Sequence, residues 1–114
     1  MFEVNFYELP NGEKPVRNFL DNLDPNMRAK AVGSIAILAE FGNNLREPYT
    51  KKIGKGLFEL RINYSGDISR IFYFFAKGSR IILTNGFIKK TQKTPESEKA
   101  IAKKYKAEYE RRSK

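Results

Sequence analysis

Between Phe58 and Ile88 three strand-like apolar runs follow one another with almost no chain between them, and that spacing leaves few folds open. Phe58, Leu60 and Ile62 alternate with Glu59, Arg61 and Asn63, the two-residue period of a strand with one buried face. Tyr64-Ser65-Gly66-Asp67 reads as a tight turn into a strand over Ile68–Phe75, and Lys77-Gly78 as a second turn into Arg80–Ile88. Connections this short join antiparallel neighbours, so the middle of the chain predicts a three-stranded meander.

Such a sheet needs a covering layer for its apolar face. Pro15 opens a short helix with Val16, Phe19, Leu20 and Leu23 on one side. Asp24-Pro25 then places a side-chain cap before a proline at the first helical position. The helix that follows carries Met27, Ala31, Ile35 and Leu38 along one stripe, with Val32 and Phe41 beside it, and Gly42 ends it. The short link between the two predicts a helical hairpin. Phe2, Val4 and Phe6 alternate with Glu3, Asn5 and Tyr7 as a first strand, broken at Asn11-Gly12. Residues 43–56, rich in Asn, Gly, Pro and Lys, read as a long irregular connection. Thr94-Pro95-Glu96 caps a last helix with a narrow stripe of Ile101, Tyr105 and Tyr109, Ala102 beside it, and Arg111, Arg112 and Lys114 beyond its end. The expected class is α+β in the order β-α-α-β-β-β-α. A small, mainly antiparallel sheet carries the helical hairpin on one face, leaves the other face open, and is joined by a docked C-terminal helix.

The length, 114 residues, suits a single domain over 1–114, and 40% hydrophobic residues are enough for its core. The chain has no Cys, which excludes disulfides and thiolate metal sites. It has no His either, so the commonest metal ligand and the usual near-neutral proton shuttle are missing. No metal or cofactor is expected. Met1-Phe2-Glu3-Val4-Asn5 lacks a leader pattern and no apolar run approaches a membrane span, so the expectation is a cytoplasmic protein with no membrane partner. The surplus of 22 Lys+Arg over 13 Asp+Glu, a net +9, favours polyanions, nucleic acid first.

Two-residue turns fix strand register. They set Arg61 opposite Arg70, Glu59 opposite Phe72 and Arg70 opposite Asn85, with all of these and Phe74 on the face away from the helices. Directly opposed arginines repel, and a phosphate between them removes that penalty and gains charge-assisted hydrogen bonds. The plainer alternative pairs each arginine with a nearby acid, Glu59 being the obvious one. Lys51, Lys52 and Lys55 precede the second strand, and Lys89, Lys90 and Lys93 follow the fourth. Strand order brings both clusters to the arginine row, which predicts a cationic groove rather than a solvated rim. Phe72 and Phe74 on this face are platforms for stacked bases or, more simply, core.

Three stretches carry a resemblance: Leu57-Phe58-Glu59-Leu60-Arg61, Arg70-Ile71-Phe72-Tyr73-Phe74-Phe75, and Asn85-Gly86-Phe87-Ile88-Lys89-Lys90-Thr91-Gln92-Lys93-Thr94-Pro95. In these and in element order the chain resembles the phage-derived, HigB-like branch of the RelE/ParE toxin superfamily. The resemblance implies a toxin of a type II toxin–antitoxin pair, held inactive by a cognate helix-turn-helix antitoxin. RelE-like members cut messenger RNA on the ribosome, whereas ParE-like members share the fold and act on DNA gyrase. By position, Arg70 matches the strand arginine that RelE-type nucleases set on the scissile phosphate, and Lys90 matches a second cation after the last strand. Two departures stand out: Leu57 and Glu59 replace the lysines of RelE's second strand, and the histidine of some superfamily nucleases is missing.

The implied reaction is metal-independent attack of a 2′-hydroxyl on the adjacent phosphate. Arg61 and Arg70 suit the charge on phosphorus, Lys89 and Lys90 the leaving oxygen, and Lys51, Lys52, Lys55 and Lys93 the flanking phosphates. Glu59 is the acid of this face, as base or as orienter of Arg61, and Tyr73 is a weaker, inward-pointing proton-transfer group. Charge reversal at Arg70 is expected to relieve toxicity without unfolding. The alternatives are a gyrase-inhibiting toxin without nuclease activity and a non-catalytic nucleic-acid-binding module.

Overall fold

A computed structural model describes residues 1–91 and 93–113; Gln92 of the resemblance motif and Lys114 of the helix end lie outside the described residues. The elements are β1 (Glu3–Phe6), α1 (Pro15–Asp21), α2 (Pro25–Phe41), β2 (Thr50–Gly54), β3 (Leu57–Tyr64), β4 (Asp67–Ala76), β5 (Arg80–Ile88) and α3 (Glu96–Arg112). The strands form one sheet in the order β1-β5-β4-β3-β2, antiparallel except where β1 runs parallel to β5. The α+β class is as expected. No helix among the described residues is long and apolar enough to cross a membrane.

The long connection contains a strand that patterning does not reveal. After a 3₁₀ turn over Gly42–Asn44, β2 pairs with β3 through Thr50↔Leu60, Lys51↔Glu59 and Lys52↔Phe58. Thr50-Lys51-Lys52-Ile53-Gly54 has no apolar alternation because it is an edge strand held by backbone pairing, where lysines commonly guard the free side.

The first hairpin is as the sequence predicts. Tyr64 pairs with Asp67 across Ser65 and Gly66, both left-handed (φ 49° and 87°), which sets Arg61 opposite Arg70 and Glu59 opposite Phe72. The second differs in two ways. Its turn holds three residues, Lys77-Gly78-Ser79, since Ala76 pairs with Arg80 and both Gly78 and Ser79 are left-handed. Further along, Thr84 and Asn85 together oppose the single residue Phe72, a β-bulge between the Tyr73↔Leu83 and Ile71↔Gly86 pairs. Arg70 therefore faces Phe87, not Asn85.

On one face the helical hairpin packs Val16, Leu20, Met27, Ala31 and Leu38 against Leu60, Ile62, Ile71, Ile81 and Leu83. The Asp24 carboxylate accepts hydrogen bonds from the Asn26 and Met27 N–H groups at 3.0 and 3.2 Å, a cap worth about 1 kcal/mol. Val32 and Phe41 do not join this core; they lie 54% and 48% exposed on the outer side of α2. Gly42 ends the helix at φ 51°, and a Cβ there would stand 2.0 Å from the Phe2 ring, so two constraints demand glycine.

The other face is not open. α3 lies across it, and Phe72, Phe74, Ile82 and Phe87 are buried with Tyr7, Leu57 and Ala102. Phe72 and Phe74, at 0% and 1% exposure, are core and offer no stacking platform. The helix docks through Ala102, Tyr105 and Tyr109 while Ile101 stays exposed, so its stripe is rotated from the one the spacing suggests. Tyr105 stacks on Tyr7 with centroids 4.5 Å apart, and Tyr109 meets Phe74 edge-on at 5.5 Å. Arg111 and Arg112 lie in the last turn of α3 rather than beyond it. There the Glu108 carboxylate accepts a 2.6 Å hydrogen bond from the Tyr7 hydroxyl and pairs with Arg112 at 2.9 Å.

Burial, and then Glu108, push the Tyr7 phenol from 10.0 to about 12. The folded chain thus holds that proton more tightly than the unfolded chain, and this share of stability is complete below pH 10 and lost as pH climbs to 12. In urea melts from pH 8 to pH 12, the stability gap between wild type and Tyr7→Phe is expected to narrow by up to about 2–3 kcal/mol. A gap that stays constant over this range would remove Tyr7 as the buried anchor of α3.

Candidate nucleic-acid interface

At the β2 end of the α3-covered face, four segments leave a polar cleft of about 300 Å³. Lys51 and Lys52 enter from β2, and Glu59 and Arg61 from β3. Lys89 continues the line of β5, its N–H bonded to the Ile68 carbonyl at 2.8 Å. Lys93 and Thr94 come from the connection to α3, and Lys99 from the start of α3. Lys51, Lys52, Arg61, Lys89, Lys93 and Lys99 make six cations against one acid, Glu59.

That acid is already engaged. Glu59 is 1% exposed, with Oε2 at 3.5 Å from Arg61 Nε and 3.7 Å from Arg70 Nε. Its Oε1 accepts a hydrogen bond from Thr94 Oγ1 at 3.2 Å. Thr94 is therefore not the helix cap that the sequence suggests; Pro95 stands at the cap position and makes no side-chain cap bond. Of the two readings of the opposed arginines, the structure realises the plainer one, a carboxylate bridging both.

The arginines are not equivalent. Arg61 is partly exposed and lines the cleft, whereas Arg70 is 4% exposed and lies beneath it. Arg70 Nη1 donates to the Ser69 carbonyl at 2.8 Å and to Asn63 Oδ1 at 3.3 Å. Burial lowers the pKa of Arg70, Glu59 opposes that shift and Arg61 adds to it. A carboxylate at Arg70 would be forced against Glu59 in a buried place, so charge reversal there breaks the fold's ion cluster as well as the site. Arg61 is the position at which site and fold separate.

Lys89 is half-buried, and its ammonium gives up a proton more readily than an ordinary lysine, through burial first and the repulsion of Arg70 second. Lys90 is exposed and does not line the cleft, and Lys55 likewise stands outside it in the turn before β3. Tyr73 points to the hairpin face. Its hydroxyl lies 2.5 Å from Thr50 Oγ1, whose own proton goes to the Glu59 carbonyl at 3.0 Å, so Tyr73 donates to Thr50 and is not free to serve the cleft. Asn85, expected opposite Arg70, instead ties down α3 by donating to the Glu98 carbonyl at 3.2 Å and its Oε1 at 3.1 Å. Thr94 enters the sequence reading as a helix cap and a motif residue but not as part of the site, and Lys99 does not enter it at all. Lys99 sits three residues after Glu96 and pairs with it at 3.6 Å, a spacing that in sequence signals only a solvated helix surface.

Residues 18–107, from α1 through most of α3, match the family model for Phage derived protein Gp49-like. The chain belongs to this Gp49-like family. Gp49-like proteins are a RelE-like toxin family of toxin–antitoxin systems. No curated protein sequence matches the chain significantly. The Gp49-like match takes in every residue of the cleft, from Lys51 to Lys99.

Without the charge of Glu59 the two arginines stand uncompensated. Glu59→Gln keeps an acceptor for Thr94 and is expected to lower stability by about 3 kcal/mol in urea unfolding. Inorganic phosphate should then stabilise the variant more than the wild type. Equal stabilisation of both would show that no anion enters between the arginines.

Proposed function

We propose that this Gp49-like protein is the toxin of a type II toxin–antitoxin pair and an endoribonuclease that cuts messenger RNA on the ribosome, as in the HigB-like branch of the RelE superfamily. The observation that carries the reading is the six-cation cleft whose one acid is already matched by arginines, which leaves Lys51, Lys52, Lys89 and Lys93 to hold phosphates, while Lys99 pairs with Glu96. Its partners on this reading are messenger RNA in the ribosome and a helix-turn-helix antitoxin.

The 2′-oxygen of the RNA attacks the neighbouring phosphorus in line, the bond from phosphorus to the 5′-oxygen breaks, and a cyclic phosphate and a 5′-hydroxyl result. Arg61 takes the phosphoryl oxygens in its guanidinium fork as charge builds on them. Lys89, with its lowered pKa, hands a proton to the departing 5′-oxygen. The proton of the 2′-hydroxyl passes to water in the open cleft. Glu59 is unsuited to that role because Thr94 and two arginines already engage its oxygens. Glu59 and Arg70 are positioning residues that fix the angle of Arg61. The ribosome contributes much of the alignment, which suits a chain with so spare a set of proton-transfer groups.

In a translation extract, primer extension should reveal cleavage that requires ribosomes. Arg61→Ala should remove growth arrest while the domain stays folded. Lys89→Arg keeps the charge but not the readily released proton, so it should retain RNA binding and lose at least about 10²-fold in rate. The wild-type rate should fall as pH rises past the Lys89 pKa, earlier than an ordinary lysine at 10.5 would allow, and Lys89→Arg should lack that limb. Growth arrest with intact message and blocked supercoiling would overturn the nuclease in favour of a gyrase inhibitor.

A further inference from the structure

Across β2 from the cleft lies a second hollow of about 220 Å³ that the proposed reaction does not use. Its walls include the half-buried rings of Phe58 and Phe75, with buried Tyr73 behind them. Phe58 stacks on Tyr73 at 5.5 Å and 20°, and meets Phe75 nearly edge-on at 5.5 Å and 73°, so the rings are braced rather than loose. The rim carries Asn43, Arg46 and Glu47 from the connection after α2, with Arg46 Nη1 bonded to the Asn43 carbonyl at 2.8 Å, and Lys51 and Lys52 outnumber the single acid.

Lys51 and Lys52 line both the hollow and the cleft, and Lys52 stands directly opposite Phe58 in the β2–β3 pairing. Lysines on an edge strand by themselves only guard the edge. Here they connect a cationic cleft to an aromatic hollow. Single-stranded nucleic acid is held by the same combination, cations along the backbone and aromatic rings for the bases. The hollow is smaller than the roughly 300–1,000 Å³ of drug-sized ligand sites, which suits one planar ring.

We propose that this hollow binds one nucleobase of the RNA whose phosphates occupy the cleft, the strand crossing the sheet edge over Lys51 and Lys52. The assignment rests on the RNA reading above. Asn43 lines the hollow, and its side-chain amide, with a donor and an acceptor, gives the site a means of preferring one base edge over another.

The test uses short single-stranded RNAs with 2-aminopurine walked through successive positions, titrated with the full chain at low salt. An end label reports binding by anisotropy. Quenching should be strong at one position and weak at the others. Phe58→Leu should relieve it and weaken binding about fivefold or more, with the salt slope unchanged; Lys52→Ala should reduce that slope by about one phosphate. Salt-dependent binding with the same emission at every position in the wild type would overturn the hollow alone and leave the cleft standing. Position-specific quenching that a folded Phe58→Leu variant leaves intact would do the same. Failure of the wild type to bind any of the RNAs would overturn both.

Discussion

The buried carboxylate of Glu59 is the interaction on which the remaining architecture of the site depends. A tight turn forces Arg61 and Arg70 into direct opposition, and like charges so placed destabilise a hairpin. Glu59, two residues before Arg61 on the same face of β3, reaches both guanidinium groups and also accepts from Thr94, so it joins the meander to the segment that leads into α3. An apolar cluster of the same volume would serve the fold equally well. What the ion cluster adds is a charge-paired guanidinium lining a cleft, with a second, buried one behind it.

The sheet is closed on both faces, and the cleft exists where the closure stops. The helical hairpin covers one side, while α3 covers the other from Ala102 onward through Tyr105 and Tyr109. Near its start α3 contributes Lys99 to the cleft instead of an apolar side chain to the core. Asn85 fixes that end of the helix through Glu98, and Tyr7 with Glu108 fixes the far end. The helix is thereby both a lid on the aromatic layer and one wall of the charged site.

Much of this was legible in the sequence because the signals were local. Period-two alternation and the Ser65-Gly66 turn were enough to place Arg61 opposite Arg70, and Asp24-Pro25 marked the start of α2. What escaped depended on partners far along the chain. β2 has no pattern of its own, and the cover over Phe72 and Phe74 comes from a helix whose stripe is too narrow to announce its target. Thr94 looked like a cap because capping is the local use of threonine; its actual partner, Glu59, lies 35 residues away. The cationic groove was readable from clusters of charge, but membership was not. Lys55 and Lys90 belong to those clusters and miss the cleft, while Lys99, outside them, lines it.

The extra residue in β5 bears on that last point as a matter of parity. Before the bulge, even-numbered Ile82 lies on the same side as Phe74; after it, odd-numbered Phe87 lies on the same side as Arg70. Lys89 inherits the odd side and reaches the cleft, and Lys90 does not. Had the strand kept its residues but run on without the bulge, the parity would be reversed and Ile88 would stand opposite Ile68, where Lys89 stands now. Whether a cation or an apolar side chain takes that place at the cleft is therefore decided upstream, by the backbone at Thr84 and Asn85.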